Sequence, residues 1–283
     1  MNTYGNQDKR NNAGFGAEDW GFMTISVIIP AYNPELSWLL ETLNSIVNQS
    51  FQVTEVIIVD DGSKTLIADV LEELNIFNET KIILRVIRNA KNLGIAKSLD
   101  IGIRSCQSDF IFRVDADDIW YKSHVESVMI EFSKSDDVGF VHTHADYIID
   151  GDFVPYFSKS YLLSVFGIFW DNPVVHSSAC FRRSVYLSSI GYDNGFKWED
   201  YRLWCDFYFL CRATIICRPT LMYRIHSRSL SRIDKREAIL NRMNIQLILM
   251  KKLYNNGRFL KAFIVMIFCL IQWIRVKNSE SKK

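Results

Sequence analysis

Two runs of β-branched and aromatic residues in this chain break off into clustered acids. Val56-Ile57-Ile58-Val59 leads straight into Asp60-Asp61-Gly62-Ser63, and Phe110-Ile111-Phe112-Arg113-Val114 leads into Asp115-Ala116-Asp117-Asp118. Short continuous apolar runs of this kind form strands buried on both faces. The acids and the glycine turn that follow mark the carboxyl ends of those strands. An earlier run, Ile25-Ser26-Val27-Ile28-Ile29, is closed by Pro30, and a further one reads Ile82-Ile83-Leu84-Arg85-Val86-Ile87. Between them, spacings of three and four predict helices: one over 35–47 through Leu36, Leu39, Leu40, Leu43 and Ile46, one near 66–74, and one opened by Gly94 with Ile95, Leu99 and Ile103. Strand, crossover and helix in repetition predict an α/β fold with a mixed, mainly parallel sheet flanked by helices. Its ligands are expected beyond the carboxyl ends of the strands, where both acidic clusters fall.

The totals bound what such a sheet serves. With 283 residues and 48% hydrophobic side chains, the chain can build one large core with appendages. A formal net charge of +1 supplies no broad basic field, so a nucleic-acid partner is disfavoured. The six cysteines, Cys106, Cys180, Cys205, Cys211, Cys217 and Cys269, form no C-x-x-C pair and read as reduced, mostly buried thiols of a cytoplasmic protein. Residues 1–22 are rich in Asn, Gly and charge without an apolar core, and are expected to be a flexible tail rather than an export signal. Beyond about Val138 the pattern is less regular, with strands expected near 140–144 and 213–217.

Asp115-x-Asp117-Asp118 at a strand end is the central chemical feature. Clustered acids repel one another, and a divalent cation with its phosphate ligands relieves that repulsion. The spacing alone admits a second reading, a polar turn capping a helix that begins near Tyr121. Asp60-Asp61-Gly62-Ser63 by itself is likewise an ordinary turn with a helix cap.

Taken in order, however, the motifs resemble those of family 2 glycosyltransferases with the GT-A fold, over residues 25 to 231. Ser26-Val27-Ile28-Ile29-Pro30-Ala31-Tyr32-Asn33 resembles the family's opening strand and loop, which implies that Pro30, Ala31, Tyr32 and Asn33 border the nucleobase of a nucleotide-diphosphate sugar. Val59-Asp60-Asp61-Gly62-Ser63 resembles the next element, with Asp61 implied to hydrogen-bond the base. Asn92-Leu93-Gly94-Ile95-Ala96-Lys97-Ser98-Leu99-Asp100 is similar to the segment that follows, with Asp100 where family members often carry Asn, and with Lys97 as a phosphate contact or simply a solvated lysine. Arg113-Val114-Asp115-Ala116-Asp117-Asp118 resembles the D-x-D segment. The resemblance implies that Asp115 and Ala116 lie along the donor, that Asp117 holds Mn2+ or Mg2+, and that Asp118 caps a helix or supports the ligands.

Inverting transfer needs a base that deprotonates the acceptor hydroxyl opposite the departing diphosphate. Trp198-Glu199-Asp200-Tyr201 resembles the family's E-D motif at a helix start, which makes Asp200 that base, Glu199 its neighbour and Trp198 an acceptor-side residue. The N-terminus of the helix favours the ionised form of Asp200. Asn172-Pro173-Val174-Val175-His176-Ser177 resembles a segment beneath the acceptor, so His176 either lines that pocket or is a satisfied structural histidine. Tyr223-Arg224-Ile225-His226 resembles the segment that closes over the diphosphate, with Arg224 or His226 at phosphate and His226 completing the metal shell.

The resulting organisation is a tail over 1–22, a GT-A domain over 23–231 with a donor half (23–120) and an acceptor half (121–231), and a helical extension over 232–283. Helices are expected over 235–252 and 258–275, and the apolar core of the second, 262 to 274, is 13 residues against the ~20 that a bilayer requires. Two readings of that helix stay open: interfacial contact with an anionic membrane at its cytoplasmic face, or packing on the catalytic domain or in a homodimer. The resemblance implies a saccharide or lipid-linked acceptor, as in bacterial surface polysaccharide assembly, and UDP ahead of dTDP and GDP. Two rival functions fit these motifs less well. A sugar-nucleotide-forming nucleotidyltransferase would want a glycine-rich phosphate loop where this chain has Pro30-Ala31-Tyr32-Asn33-Pro34. A non-catalytic carbohydrate-binding protein would have no use for both Asp117 and Asp200.

Overall fold

The computed structural model describes residues 23–74, 76–77, 80–155, 167–168, 172–192, 198–227, 229 and 235–280. The expected tail over 1–22 lies outside them. Strands β1 (Ile25–Ala31), β2 (Glu55–Asp60), β3 (Ile83–Arg88) and β4 (Phe110–Arg113) are mutually parallel in the order β3-β2-β1-β4. Their crossovers are α1 (Leu36–Val47), α2 (Ile67–Leu74) and α3 (Ile95–Ser105). All of β1 and β2 is buried, as their unbroken apolar sequences require.

Strand alternation sends the side chains to two separate cores. Val27, Ile29, Val56 and Ile58 pack with Leu39, Leu43 and Ile46 of α1 on one face. Ile28, Ile57 and Val59 meet Leu99 and Ile103 of α3 on the other. There the helix approaches so closely that a Cβ on Gly102 would lie 2.7 Å from Ile28 Cγ2 and 3.0 Å from Val59 Cγ2.

The sheet continues with β5 (Ile119–Trp120), β6 (Val138–Ile149), β7 (Asp152–Val154), β8 (Cys180–Arg182) and β9 (Arg212–Ile225), in the order β4-β8-β6-β9-β5. Strand β8 runs antiparallel between β4 and β6, whereas β6 and β9 are parallel to each other. These two strands are far longer than the expected runs at 140–144 and 213–217. They stabilise one another through a ladder with three register shifts, which blurs the alternation that sequence reading relies on.

The helix expected near Tyr121 begins only at His124, as α4 (His124–Ser133). The intervening β5 pairs Ile119 and Trp120 with Met222 and Leu221, so Asp118 caps no helix. In the second half follow α5 (Arg183–Leu187) and α6 (Glu199–Leu210), and α6 closes the second core with Leu203, Trp204 and Phe207.

Helices α7 (Lys235–Asn255) and α8 (Phe259–Glu280) form an antiparallel hairpin. Ile245, Leu249 and Leu253 interlock with Ala262, Val265 and Cys269, and the pair is seated on Tyr201 and Cys205 of α6. All six cysteines are free thiols, and four of them are buried.

Candidate active site

Three loops meet at the carboxyl ends of β1, β2 and β4. Asn33, in a left-handed conformation (φ 45°) just past β1, donates its N–H to Ser63 Oγ at 2.9 Å and accepts Lys64 N–H on Oδ1 at 2.8 Å. Asp61 accepts Asn89 Nδ2 at 2.7 Å, Leu93 N at 2.9 Å and Gly94 N at 2.8 Å, so its carboxylate ties the β2 exit to the turn before α3. Asp60 accepts Ser63 N–H at 2.8 Å and pairs with Arg88. Above this braced floor Tyr32 stands 53% exposed, its ring free to stack on a planar group.

Lys97 reaches Asp100 at 3.2 Å, and Asp100 also accepts Arg104 Nε at 2.6 Å and Tyr186 Oη at 2.9 Å. Burial alone would raise the Asp100 carboxyl, but the hydrogen bonds from Arg104, Tyr186 and Lys97 hold it below its usual range. A charged Asp at this position is therefore matched by local cations, which a neutral Asn would not need.

The D-x-D acids converge. Asp115, Asp117 and Asp118 each place a carboxylate oxygen within 4.8 Å of the others, the one such acidic group among the described residues. Asp115 forms a two-point ion pair with Arg113, 2.6 Å and 2.9 Å, and also accepts Ser177 Oγ at 3.2 Å. Arg113 is fully buried. Burial is the largest single influence and would weaken its charge, but the Asp115 charge and hydrogen bonds, with Tyr192 and Asp118, together outweigh it and raise the guanidinium's proton affinity.

Asp117 meets His226 Nε2 at 2.8 Å. Asp118 accepts Arg224 N–H on Oδ1 at 2.8 Å, while its Oδ2 is buried without a partner. Burial, then the charges of neighbouring acids, push Asp117 up and Asp118 far up from the ordinary carboxylate range. A tight acidic trio with an orphaned buried oxygen, beside an imidazole nitrogen, fits a hard divalent cation.

Arg224 clasps this loop from β9. Its Nε donates to Asp117 O at 2.9 Å, its guanidinium lies 5.0 Å above the Trp38 ring, and it pairs with Glu41 of α1. The Trp38 ring also packs on His226, with centroids 4.7 Å apart.

Across the site, α6 starts with the acid pair. Trp198 precedes it in a left-handed conformation (φ 77°), half-buried against the C-terminal hairpin with the Arg242 guanidinium 5.2 Å over its ring. Asp200 accepts Asn172 Nδ2 at 2.6 Å and Tyr201 N–H at 2.7 Å. Burial raises the Asp200 carboxyl in spite of these donors, so the helix terminus does not dominate its ionisation. Glu199 is raised to about 7, by burial first and then by the charge of Asp200.

The positive charge of Arg113 lowers both members of the pair, and the negative charge of Asp115 raises Glu199. The E-D pair and the D-x-D cluster thus share one electrostatic field. His176, in the 3₁₀ turn His176–Ser178, bonds Tyr192 Oη through Nε2 at 2.8 Å and packs edge-on against Trp204; burial, then the Arg113 charge, holds it well below the usual imidazole range.

Sequence reasoning assigned no role to Arg113, Ser177, Trp38, Glu41 or Tyr192. The signal for Arg113 was an arginine inside an otherwise apolar strand, where only a buried counter-charge makes it tolerable.

An open sheet with a parallel donor-type half, acids at its carboxyl edge and an acid-headed helix facing them defines the GT-A class of nucleotide-diphosphate-sugar transferase folds. The chain belongs to glycosyl transferase family 2, whose model matches residues 26–190. It is 31% identical over 156 residues to an uncharacterized glycosyltransferase of Haemophilus influenzae, a match covering 55% of this chain and 46% of that one. It is 32% identical over 111 residues to a hyaluronan synthase of Streptococcus pyogenes, covering 38% of this chain and 26% of the synthase. The chain therefore spans less than half the length of these relatives. Among solved structures, TarS of S. aureus in complex with UDP-GlcNAc superposes with a TM-score of 0.66 at 19% identity, over 82% of this chain and 67% of TarS. A mannosyltransferase of Pyrobaculum calidifontis in complex with GDP-Man and Mn2+ gives 0.63 at 15% identity, over 91% of this chain and 76% of that one.

Proposed function

We propose that the protein is an inverting glycosyltransferase that moves a sugar from a nucleotide-diphosphate donor to a hydroxyl of a saccharide or lipid-linked saccharide. The observation that carries this reading is the shared field of Asp115 to Asp118 and Glu199–Asp200 around the buried Arg113. Binding alone gives no reason to face a metal-type acidic cluster with a second, partly neutralised acid pair.

In this reading Tyr32 stacks on the nucleobase and the braced loop of Pro30, Ala31 and Asn33 with Asp61 shapes the base pocket. Asp115 and Ala116 run along the donor, with Lys97 near its phosphates. Asp117 and His226 hold Mn2+ or Mg2+, which when bound neutralises charge on the departing diphosphate. Arg224, fixed by Trp38 and Glu41, holds the loop that carries Asp117. Asp200 takes the acceptor proton while the hydroxyl attacks the anomeric carbon, and Asn172 with the Tyr201 N–H keeps its carboxylate aimed. Glu199 tunes the proton affinity of Asp200, and His176 with Trp198 supports the acceptor side.

UDP-sugars are the first choice of donor and GDP-sugars the second, in keeping with the ligands of the TarS and mannosyltransferase complexes. Surface polysaccharide assembly on the cytoplasmic side of a bacterial membrane is the proposed setting. A thermal-shift screen of nucleotide sugars with and without Mn2+ tests the assignment, since a matched donor stabilises the folded state by mass action. The expected result is one donor class that raises the melting temperature by several degrees only with the metal. No shift from any nucleotide sugar, with or without metal, rejects the reading.

A further inference from the structure

Helix α8 is saturated on one side and bare on the other. Ala262, Val265 and Cys269 are buried against α7, and Gln272 is 1% exposed. On the opposite side Leu260 (74% exposed), Phe263 (53%), Ile267, Leu270 (56%) and Ile274 recur at intervals of three and four, one continuous stripe turned to solvent. A helix that meets only water carries polar residues there, and a contiguous apolar stripe of this length marks a surface that is covered in use.

The charge of the same segment decides what covers it. Residues 235–283 carry eleven Lys and Arg against two Asp and Glu, a net of +9. The whole chain is +1, so the remaining residues sum to −8. Nearly all the excess positive charge is gathered on the hairpin that bears the bare stripe. A second copy docked face to face would bring +9 against +9, a repulsion that a closely packed interface sharpens. An anionic lipid surface offers the opposite charge and an apolar layer beneath it.

We propose that the α7–α8 hairpin is a docking surface for anionic phospholipid bilayers, with α8 lying in the headgroup plane and its stripe at the acyl boundary. Lys251, Arg258 and Lys261 sit around the hairpin bend. Lys261 Nζ reaches Tyr208 Oη at 2.6 Å, and Arg258 lies 5.5 Å over the Tyr208 ring, so these two cations are held beside the stripe rather than trailing into solvent. The helix remains interfacial because its other face is committed to α7. Among the described residues no helix is long and apolar enough to cross a membrane. Since Tyr201 and Cys205 of α6 form the seat of the hairpin, the docked surface is rigidly joined to the helix that presents Glu199 and Asp200. The inference stands on the hairpin alone and does not require the glycosyl-transfer reading.

Co-sedimentation of the full chain with vesicles tests it, using phosphatidylcholine alone and phosphatidylcholine mixed with phosphatidylglycerol. Partitioning into the anionic vesicles is expected to exceed that into neutral ones by about tenfold and to fall as salt is raised. The exposed double substitution Phe263→Ser with Leu270→Ser should abolish it and leave the circular-dichroism melt unchanged. Lys251→Gln, outside the stripe, should weaken anionic binding a few-fold. Absence of binding to either vesicle, equal binding by the wild type and the double variant, or a solution dimer that the double variant dissociates would each overturn the proposal, the last in favour of a second copy.

Discussion

Arg113 joins the two groups of acids on which the proposed chemistry depends. It is fully buried, its ion pair with Asp115 is only 24% exposed on the acid side, and its charge reaches Glu199 and Asp200. Arg113→Met is expected to destabilise the fold by about 3 kcal/mol, because it leaves a mostly buried carboxylate without its counter-ion. Urea denaturation checks this, and a midpoint like that of the wild type would remove Arg113 from its bridging role.

Asp200→Asn should retain metal-dependent donor binding by calorimetry while transfer falls about 10³-fold, in line with the loss of a general base. Asp117→Ala should lose metal-dependent donor binding itself. The pH profile carries a further signature. Both acids of the pair are raised, Glu199 to about 7, so activity that needs the ionised base rises with pH through that region as a property of the pair. Glu199→Gln removes the member of the pair that titrates near 7, so the acid limb of kcat/KM should lose that step and move to lower pH. A limb that stays in place or moves upward contradicts the coupling.

At this scale the acids were legible, because strand-end Asp clusters announce themselves. Their partners were not. Ser177 and Tyr192 reach the site only through folding contacts that span more than fifty residues or bridge separate loops.

The elements were legible where one element sets its own pattern. Strands β1, β2 and β4 and helices α1 and α3 follow their apolar spacing to within a residue or two, since each is buried against the same sheet. The long β6 and β9 escaped because their irregular ladder is stabilised by mutual pairing rather than by alternation in either sequence. Of the two readings of Asp118, the helix cap fails for the same reason: β9 claims the segment after it as a strand, and its carboxylate accepts the Arg224 N–H beside the other two acids.

The close seating of α3 gives a test of this layer. Gly102→Ala would place a methyl 2.7 Å from Ile28 Cγ2, and overpacking of that kind costs about 1–3 kcal/mol. A fall in the urea midpoint is the expected outcome. A gain in stability, as helix propensity alone would give, would mean that α3 does not press on β1 as described.

Across the whole molecule the chain divides its labour by charge as well as by fold. The sheet and its loops hold the acids, while the hairpin gathers +9 beside an apolar stripe. Composition hides this division, since a net of +1 describes neither part. The approach of Glu199 and Asp200 to Arg113, more than eighty residues away in the chain, is likewise a product of the mixed sheet, whose antiparallel β8 returns the chain to β4 and leads on to α6.

Crystals of the full chain grown with UDP or GDP and Mn2+, measured at the manganese absorption edge, test the proposed convergence of Asp117 with Asp200 most directly. The expected result is an anomalous peak in bonding distance of the Asp117 carboxylate and near His226, with the diphosphate on the side that faces Asp200. Nucleotide bound with its metal away from Asp117, or with Asp200 on the far side of the sheet from the diphosphate, would contradict it.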